Sequence, residues 1–311
     1  MRIVFAGTPE FAVPSLRALH AAGHEIVGVI TREDAPLGRK RILTPSPVAV
    51  AAEELGLPVL RANRLAEEAT AWTAARNPDL GVIVAYGGLV REPLLSLPEH
   101  GWINLHFSEL PRWRGAAPVQ RALQAGEQRL GVTVFRLVEA LDAGDVITRD
   151  ASDVAPGTPA GAALTALAAS GTDALLRAVA GLADGSLVGV PQQGEATYAH
   201  KLGREDGRLD LSASAAAVLA HWAGVTPEPG AFVLVDEQPV KLLEVRAAHG
   251  SDLVSDDRAD AAVGSIGLRA GTAVVELADG ALELVRVQPA GKPAMDGAAW
   301  LRGRGGAAVA R

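Results

Sequence analysis

The chain has 311 residues, 49% hydrophobic and 21% charged, a globular composition with length for about two domains, which excludes wholesale disorder. Lys plus Arg number 29 against 36 Asp plus Glu, a formal charge of −7, so any nucleic-acid contact must come from a local basic patch rather than a basic coat. Cysteine is absent, which removes disulfides, thiolate nucleophiles and cysteine-based metal centres.

Residues 2–6 form an apolar run stopped by Gly7-Thr8-Pro9, read as a strand and a turn. That run is too short for the apolar core of a signal peptide. No stretch approaches the roughly 20 apolar residues of a membrane span, so a cytoplasmic chain without a membrane partner is expected. Residues 11–22 carry apolar side chains at helical spacing, with Gly23 placed to end the helix. Residues 25–31 read as a second strand. Ser46 and Pro47 read as an N-cap and first-turn proline opening a helix through Leu55. A short strand at 58–60 and a helix at 66–76 follow. The continuous apolar run 80–85 predicts a strand covered on both faces, and 102–106 another strand. A long Ala-rich helix is expected over 158–182. Strands alternating with helices predict an α/β fold with a doubly wound, mostly parallel sheet and ligands at the carboxyl ends of its strands.

The texture changes at residues 184–203, where Gly, Pro and Gln-Gln predict a linker between domains at 1–183 and 204–311. Beyond a helical stretch near 212–222, short apolar runs at 232–235, 240–245, 264–268, 273–277 and 282–287 lie between turn signals. They predict a small β-barrel of oligonucleotide-binding type, abbreviated OB-like. Trp222 and Trp300 are expected to anchor its core.

The first strand is followed by Gly7-Thr8-Pro9-Glu10-Phe11-Ala12, with no Gly-x-Gly-x-x-Gly, which disfavours a dinucleotide site. Asn104 and His106 stand two apart at a strand end, so both side chains leave one face. Downstream, Leu141-Asp142-Ala143-Gly144 puts a carboxylate on a tight turn. His20, His24, His100, His200, His221 and His249 are scattered without ligand spacing, and no metal is expected.

The run Asn104-Leu105-His106-Phe107-Ser108-Glu109-Leu110-Pro111, with Asp142 placed 38 residues after Asn104, resembles the folate-dependent formyltransferases. Phe5-Ala6-Gly7-Thr8-Pro9-Glu10-Phe11-Ala12, Val84-Ala85-Tyr86-Gly87, Arg112-Trp113-Arg114-Gly115-Ala116-Ala117-Pro118 and Gln288-Pro289-Ala290-Gly291-Lys292 extend the resemblance in motif order. Together they are similar to the branch that formylates methionyl initiator tRNA. The resemblance implies 10-formyltetrahydrofolate as donor, with its folate part along Val84, Ala85, Tyr86, Gly87 and Leu89 and along Ser108, Glu109, Leu110 and Pro111. It assigns three catalytic roles. Asn104 and a protonated His106 donate to the oxyanion, and Asp142 holds the imidazolium and receives the proton lost by the amine. No acyl-enzyme is required.

The same resemblance implies that the loop with Arg39, Lys40 and Arg41 inserts at the acceptor end of the tRNA, Arg39 matching its principal basic residue. Arg112, Arg114 and Lys292 would extend the phosphate contacts. From Gly203 to Arg311 there are 11 basic and 15 acidic residues, so the local excess of three positive charges over 283–311 is the only basic footprint expected there. No protein partner is implied and a monomer is expected. Phe107, Glu109 and Glu228 depart from the family pattern. The rival acceptor is an amino sugar nucleotide, which would use the same Asn–His–Asp set; a non-catalytic RNA-binding module is the alternative from another class.

Overall fold

The computed structural model describes residues 1–38, 40–248 and 262–311, and every count below is of those residues. Arg39 and His249 lie outside them. The chain forms two compact units. The first holds Met1–Pro118, Arg129–Ser152 and Leu164–Ala199, and the second Val119–Gln128, Asp153–Ala163 and His200–Arg311.

To residue 199 the elements are β1 (Arg2–Gly7), α1 (Val13–Ala21), β2 (Glu25–Thr31), β3 (Ala35–Leu37), β4 (Ile42–Thr44), α2 (Pro47–Glu54), β5 (Val59–Arg61), α3 (Glu67–Ala74), β6 (Leu80–Val84), β7 (Trp102–His106), β8 (Arg114–Gly115), α4 (Pro118–Gln124), β9 (Arg129–Arg136), β10 (Val146–Asp153), α5 (Ala160–Asp184) and β11 (Tyr198–Ala199). Seven strands form one sheet in the order β10-β9-β7-β6-β1-β2-β5. The run from β7 to β5 is parallel, and β9 is antiparallel to β7. β1 and β6 are buried along almost their whole length, as strands covered on both faces must be. Gly81 is required in β6 because a Cβ there would stand 2.1 Å from the Trp102 ring. That ring fills the space, and its indole N–H donates to the Leu94 carbonyl at 2.8 Å.

The segment after β2, expected as a loop, is the antiparallel hairpin β3–β4. Its strands have three residues each and no buried side, so they carry no hydrophobic alternation to read. The hairpin's two ends are tied together by a buried 2.5 Å hydroxyl pair, Thr31 Oγ1 to Ser46 Oγ. Ser46 also caps α2 by accepting from the Ala49 N–H at 3.0 Å.

Helix α5 corrects one expectation. At 25 residues it is long and apolar enough to cross a membrane by length and composition alone. Its richness in Ala concealed this, since each residue contributes little apolar surface. Half of its most apolar 18-residue window is buried inside the protein, with Leu105 of β7 packed at Gly171.

The second unit adds α6 (Ala215–Val225), β12 (Phe232–Val235), β13 (Gln238–Ala247), β14 (Ser265–Arg269), β15 (Thr272–Glu276), β16 (Ala281–Pro289), β17 (Met295–Asp296), α7 (Gly297–Arg302) and β18 (Ala307–Val309). The path β12-β13-β16-β15-β14-β18 is antiparallel throughout, with β17 added to β16. A bridge from Val235 to Ala310 and reciprocal backbone hydrogen bonds between Leu234 and Arg311, at 2.9 and 2.8 Å, close this sheet into the OB-like barrel. Trp222 and Trp300 are buried in its core, with the Trp222 indole donating to the Leu242 carbonyl at 2.8 Å.

Candidate active site

The carboxyl ends of β1, β6 and β7 lie side by side in the parallel part of the sheet. Asn104 and His106 project from one face of β7, opposite Phe135 and Thr133 of β9 in register. His106 is buried, its ring edge-on to Phe135 at 6.3 Å between centroids. Trp113, with φ +60, presents its carbonyl 2.9 Å from His106 Nε2. A carbonyl only accepts, so Nε2 carries the hydrogen. On the other edge, Nδ1 faces Asp142 Oδ2 across 4.0 Å. Asp142 also sits in the left-handed region, φ +47, and its Oδ2 accepts from the Gly115 N–H at 2.7 Å.

Burial depresses the His106 pKa below its usual value, and it outweighs the opposing effects of the Asp142 carboxylate and the Trp113 carbonyl. Desolvation, invisible in the primary structure, thus favours the neutral form of the ring at rest. Two acceptors, a neutral Nδ1 and a carboxylate oxygen, then face each other across the 4.0 Å separation, an arrangement that suits the receipt of a proton. Asn104 is half-buried, and among the described residues no hydrogen bond engages its side-chain amide. The amide is thus free to donate to an incoming oxygen.

Two residues that sequence reasoning missed hold the loops around these groups. Thr197 Oγ1 accepts the Trp113 N–H at 2.9 Å, while β8 pairs in parallel with β11. Gln192 donates to the Asp142 and Gly144 carbonyls at 2.8 and 2.9 Å, and its amide oxygen accepts from Arg114 Nη2 at 2.7 Å. Both lie in the segment read as a linker. The only signal there was a pair of polar, uncharged side chains between turn residues.

The segments expected to hold the folate are tied down by hydrogen bonds and packing. Ser108 Oγ donates to the Arg112 carbonyl at 2.6 Å. Thr133 Oγ1 donates to the Ser108 carbonyl at 2.6 Å and accepts from the Leu110 N–H at 3.1 Å. Pro111 is buried. Glu109 turns its carboxylate to Arg129, 3.1 Å away. Phe107 packs edge-on to Phe11 at 5.4 Å. Val84, the last residue of β6, is buried, and Ala85 and Gly87 after it take positive φ. Tyr86 commits its ring to the core and its hydroxyl to the Ala62 carbonyl at 2.5 Å. Arg32 holds the Tyr86 and Gly87 carbonyls. Leu89, 63% exposed, presents an apolar side chain beside this turn.

Of the expected tRNA-contact residues, Lys40 and Arg41 are exposed on the β3–β4 turn, Arg41 with φ +49. Arg112 and Lys292 are exposed, whereas Arg114 is half-buried and committed along one edge to Gln192. Among the described residues no group of three or more His, Asp or Glu side chains is placed to hold a metal.

A buried His–Asp pair and, two residues before the histidine on the same strand face, an unengaged amide stand at the carboxyl edge of a parallel sheet and together offer a proton acceptor and a hydrogen-bond donor. The chain belongs to the formyltransferase family: the formyl transferase model matches residues 1–179, and the formyl transferase C-terminal domain model residues 201–305. A methionyl-tRNA formyltransferase of Leifsonia xyli subsp. xyli is 57% identical over 311 residues, covering 99% of each chain. Among solved structures, the N-formyltransferase of Helicobacter canadensis in complex with folinic acid and dTDP-3-aminofucose matches with a TM-score of 0.68 at 13% identity, over 93% of this chain and 99% of that one. HypX of Aquifex aeolicus in complex with tetrahydrofolic acid matches with a TM-score of 0.64 at 18% identity, over 97% of this chain but only 47% of its own length. Both structural likenesses speak to the fold.

Proposed function

We propose that this protein moves the formyl group of 10-formyltetrahydrofolate to the α-amine of methionyl initiator tRNA, as a cytoplasmic enzyme of translation initiation. Formyl transfer to an amine needs a donor for the oxygen that gains charge and an acceptor for the proton the amine loses. Asn104 supplies the first through its amide N–H. His106 Nδ1 takes the proton as the amine bonds to the formyl carbon, and the imidazolium so formed is stabilised by the Asp142 carboxylate. The proton then passes to the folate nitrogen as its bond to the formyl carbon breaks, which restores the neutral ring. The Trp113 carbonyl keeps Nε2 protonated and so keeps Nδ1 as the accepting edge. The observation that carries this reading is the 4.0 Å approach of Asp142 to His106, which shares its strand with Asn104.

For the donor, the fixed turn at Ala85, Tyr86 and Gly87, the side chain of Leu89 and the backbone of Ser108, Glu109, Leu110 and Pro111 fit a flat heterocycle. They combine an apolar surface with main-chain groups held in place by Thr133 and Arg32. When bound there, the folate supplies an activated formyl group on nitrogen. Arg39, Lys40, Arg41, Arg112, Arg114 and Lys292 are assigned to the acceptor. Residues 1–183 thus carry catalysis and the hairpin contacts, and 204–311 adds further tRNA contact. The identity to the Leifsonia enzyme supports tRNA over an amino sugar nucleotide.

The test offers the purified protein a formyl donor with charged initiator tRNA and, separately, an amino sugar nucleotide. Formyl is expected on the methionyl amine; transfer to the sugar alone would reject this acceptor. Asn104→Ala is expected to lower kcat by about 10²- to 10³-fold, the usual effect of deleting one oxyanion donor.

A further inference from the structure

Asp142 and Trp113 hold opposite edges of the His106 ring from two different loops, and both residues have positive φ. Neither loop is a regular element, so something outside them must fix their separation. One link is direct, the Gly115 N–H to the Asp142 carboxylate. The other is a side chain 50 residues after Asp142. Gln192 spends both amide hydrogens on the carbonyls of Asp142 and Gly144, at 2.8 and 2.9 Å, and its oxygen on Arg114 at 2.7 Å. The amide orientation follows from its partners: a nitrogen faces two carbonyls and an oxygen faces a guanidinium. A bond to each carbonyl flanking Ala143 pins both sides of the turn that aims the carboxylate.

We propose that Gln192 is a positioning residue for formyl transfer, locking the Asp142 turn to Arg114, which follows Trp113 at the start of β8, so that carboxylate and imidazole keep their separation. This rests on the assignment of His106 and Asp142 as the proton-accepting pair. Gln192 does not touch the reacting atoms. It acts through the turn, and its two donated hydrogen bonds carry the effect, the accepted one serving as the anchor to Arg114.

Gln192→Leu removes both donated hydrogens and the acceptor at similar volume, while Gln192→Glu keeps one oxygen as acceptor for Arg114 and turns the other, which cannot donate, toward the two carbonyls. Both variants are expected to lower kcat by about 10- to 100-fold, the order of effect of an ångström-scale misplacement, with the KM for the formyl donor little changed. In Gln192→Leu the carboxylate no longer sits close enough to favour the charged ring. The His106 pKa followed by NMR, and the acidic limb of the kcat profile with it, should move to lower pH. A residue that merely stabilises the fold would leave that limb in place. Wild-type kcat in either variant overturns the proposal, and so does an unmoved His106 titration in a folded Gln192→Leu. If the leucine variant does not fold, the kcat of Gln192→Glu decides. Failure of the unmodified protein to formylate the tRNA would remove the catalytic reading. The NMR titration, which needs no turnover, would still decide whether Gln192 fixes Asp142.

Discussion

The charge state of one imidazole organises the proposed chemistry at the scale of single residues. His106 is surrounded by the Phe135 ring, a backbone carbonyl and one carboxylate, and loss of water outweighs the attraction of that carboxylate. The folded protein therefore resists protonating this ring, whereas the unfolded chain takes up the proton near the ordinary histidine value of about 6.5. Between those two pKa values the unfolded state binds more protons, so stability rises with pH through that window. The contribution is complete above about pH 6.5 and is lost as pH falls toward the depressed folded-state value. Thermal melts of the wild type and His106→Asn over pH 5 to 8 check this. The wild type should lose stability below about pH 6.5 more steeply than the variant, and parallel curves would mean that the buried ring is not the group responsible.

Elements explain which parts of the fold were legible in the sequence. Strands β1, β2, β6 and β7 were readable because burial on two faces demands continuous apolar runs, and α2 because Ser46-Pro47 is a chemical start signal. Asn104 and His106 were readable because two residues apart in a strand means one face. The hairpin β3–β4 and the pair β8–β11 were not, since two or three residues carry no period. Gln192 was unreadable for a different reason: its partners lie 48 to 78 residues away, and only the folded chain brings them together. The hairpin root gives a test at this scale. Ser46→Ala removes the cap of α2, costing about 1 kcal/mol, and leaves the fully buried Thr31 hydroxyl without its partner, about 1–3 kcal/mol more. A lower denaturation midpoint is expected, with a raised KM for the tRNA and an unchanged KM for the formyl donor. Replacing both residues, Thr31→Val with Ser46→Ala, should be less damaging than the two single effects added together, because no orphaned hydroxyl remains. Strict additivity would show that the hydroxyl pair is not what ties the hairpin.

For the whole molecule, the net charge of −7 sets two electrostatic effects against each other when a polyanion approaches. The acidic surface as a whole repels tRNA, and added salt, by shortening the Debye length to about 8 Å at physiological strength, weakens that repulsion. Local pairing of basic side chains with phosphates releases counterions, and added salt weakens that pairing instead. The sign of the salt dependence therefore reports which effect governs productive binding. If Arg39, Lys40 and Arg41 pair with phosphates, log(kcat/KM) for the tRNA should fall with log[salt] despite the acidic total. Replacing the three by alanine takes the formal charge from −7 to −10, since −7 − 3 = −10, and should flatten that slope by up to about 2.1–2.7, at roughly 0.7–0.9 for each phosphate no longer neutralised. Parallel measurements with the formyl donor as the varied substrate should show little change if the donor binds at the strand ends as proposed, without contact to these basic side chains. A slope that is already positive in the wild type, or one that the triple replacement leaves intact, would take the hairpin out of tRNA recognition and leave the long-range field as the stronger influence.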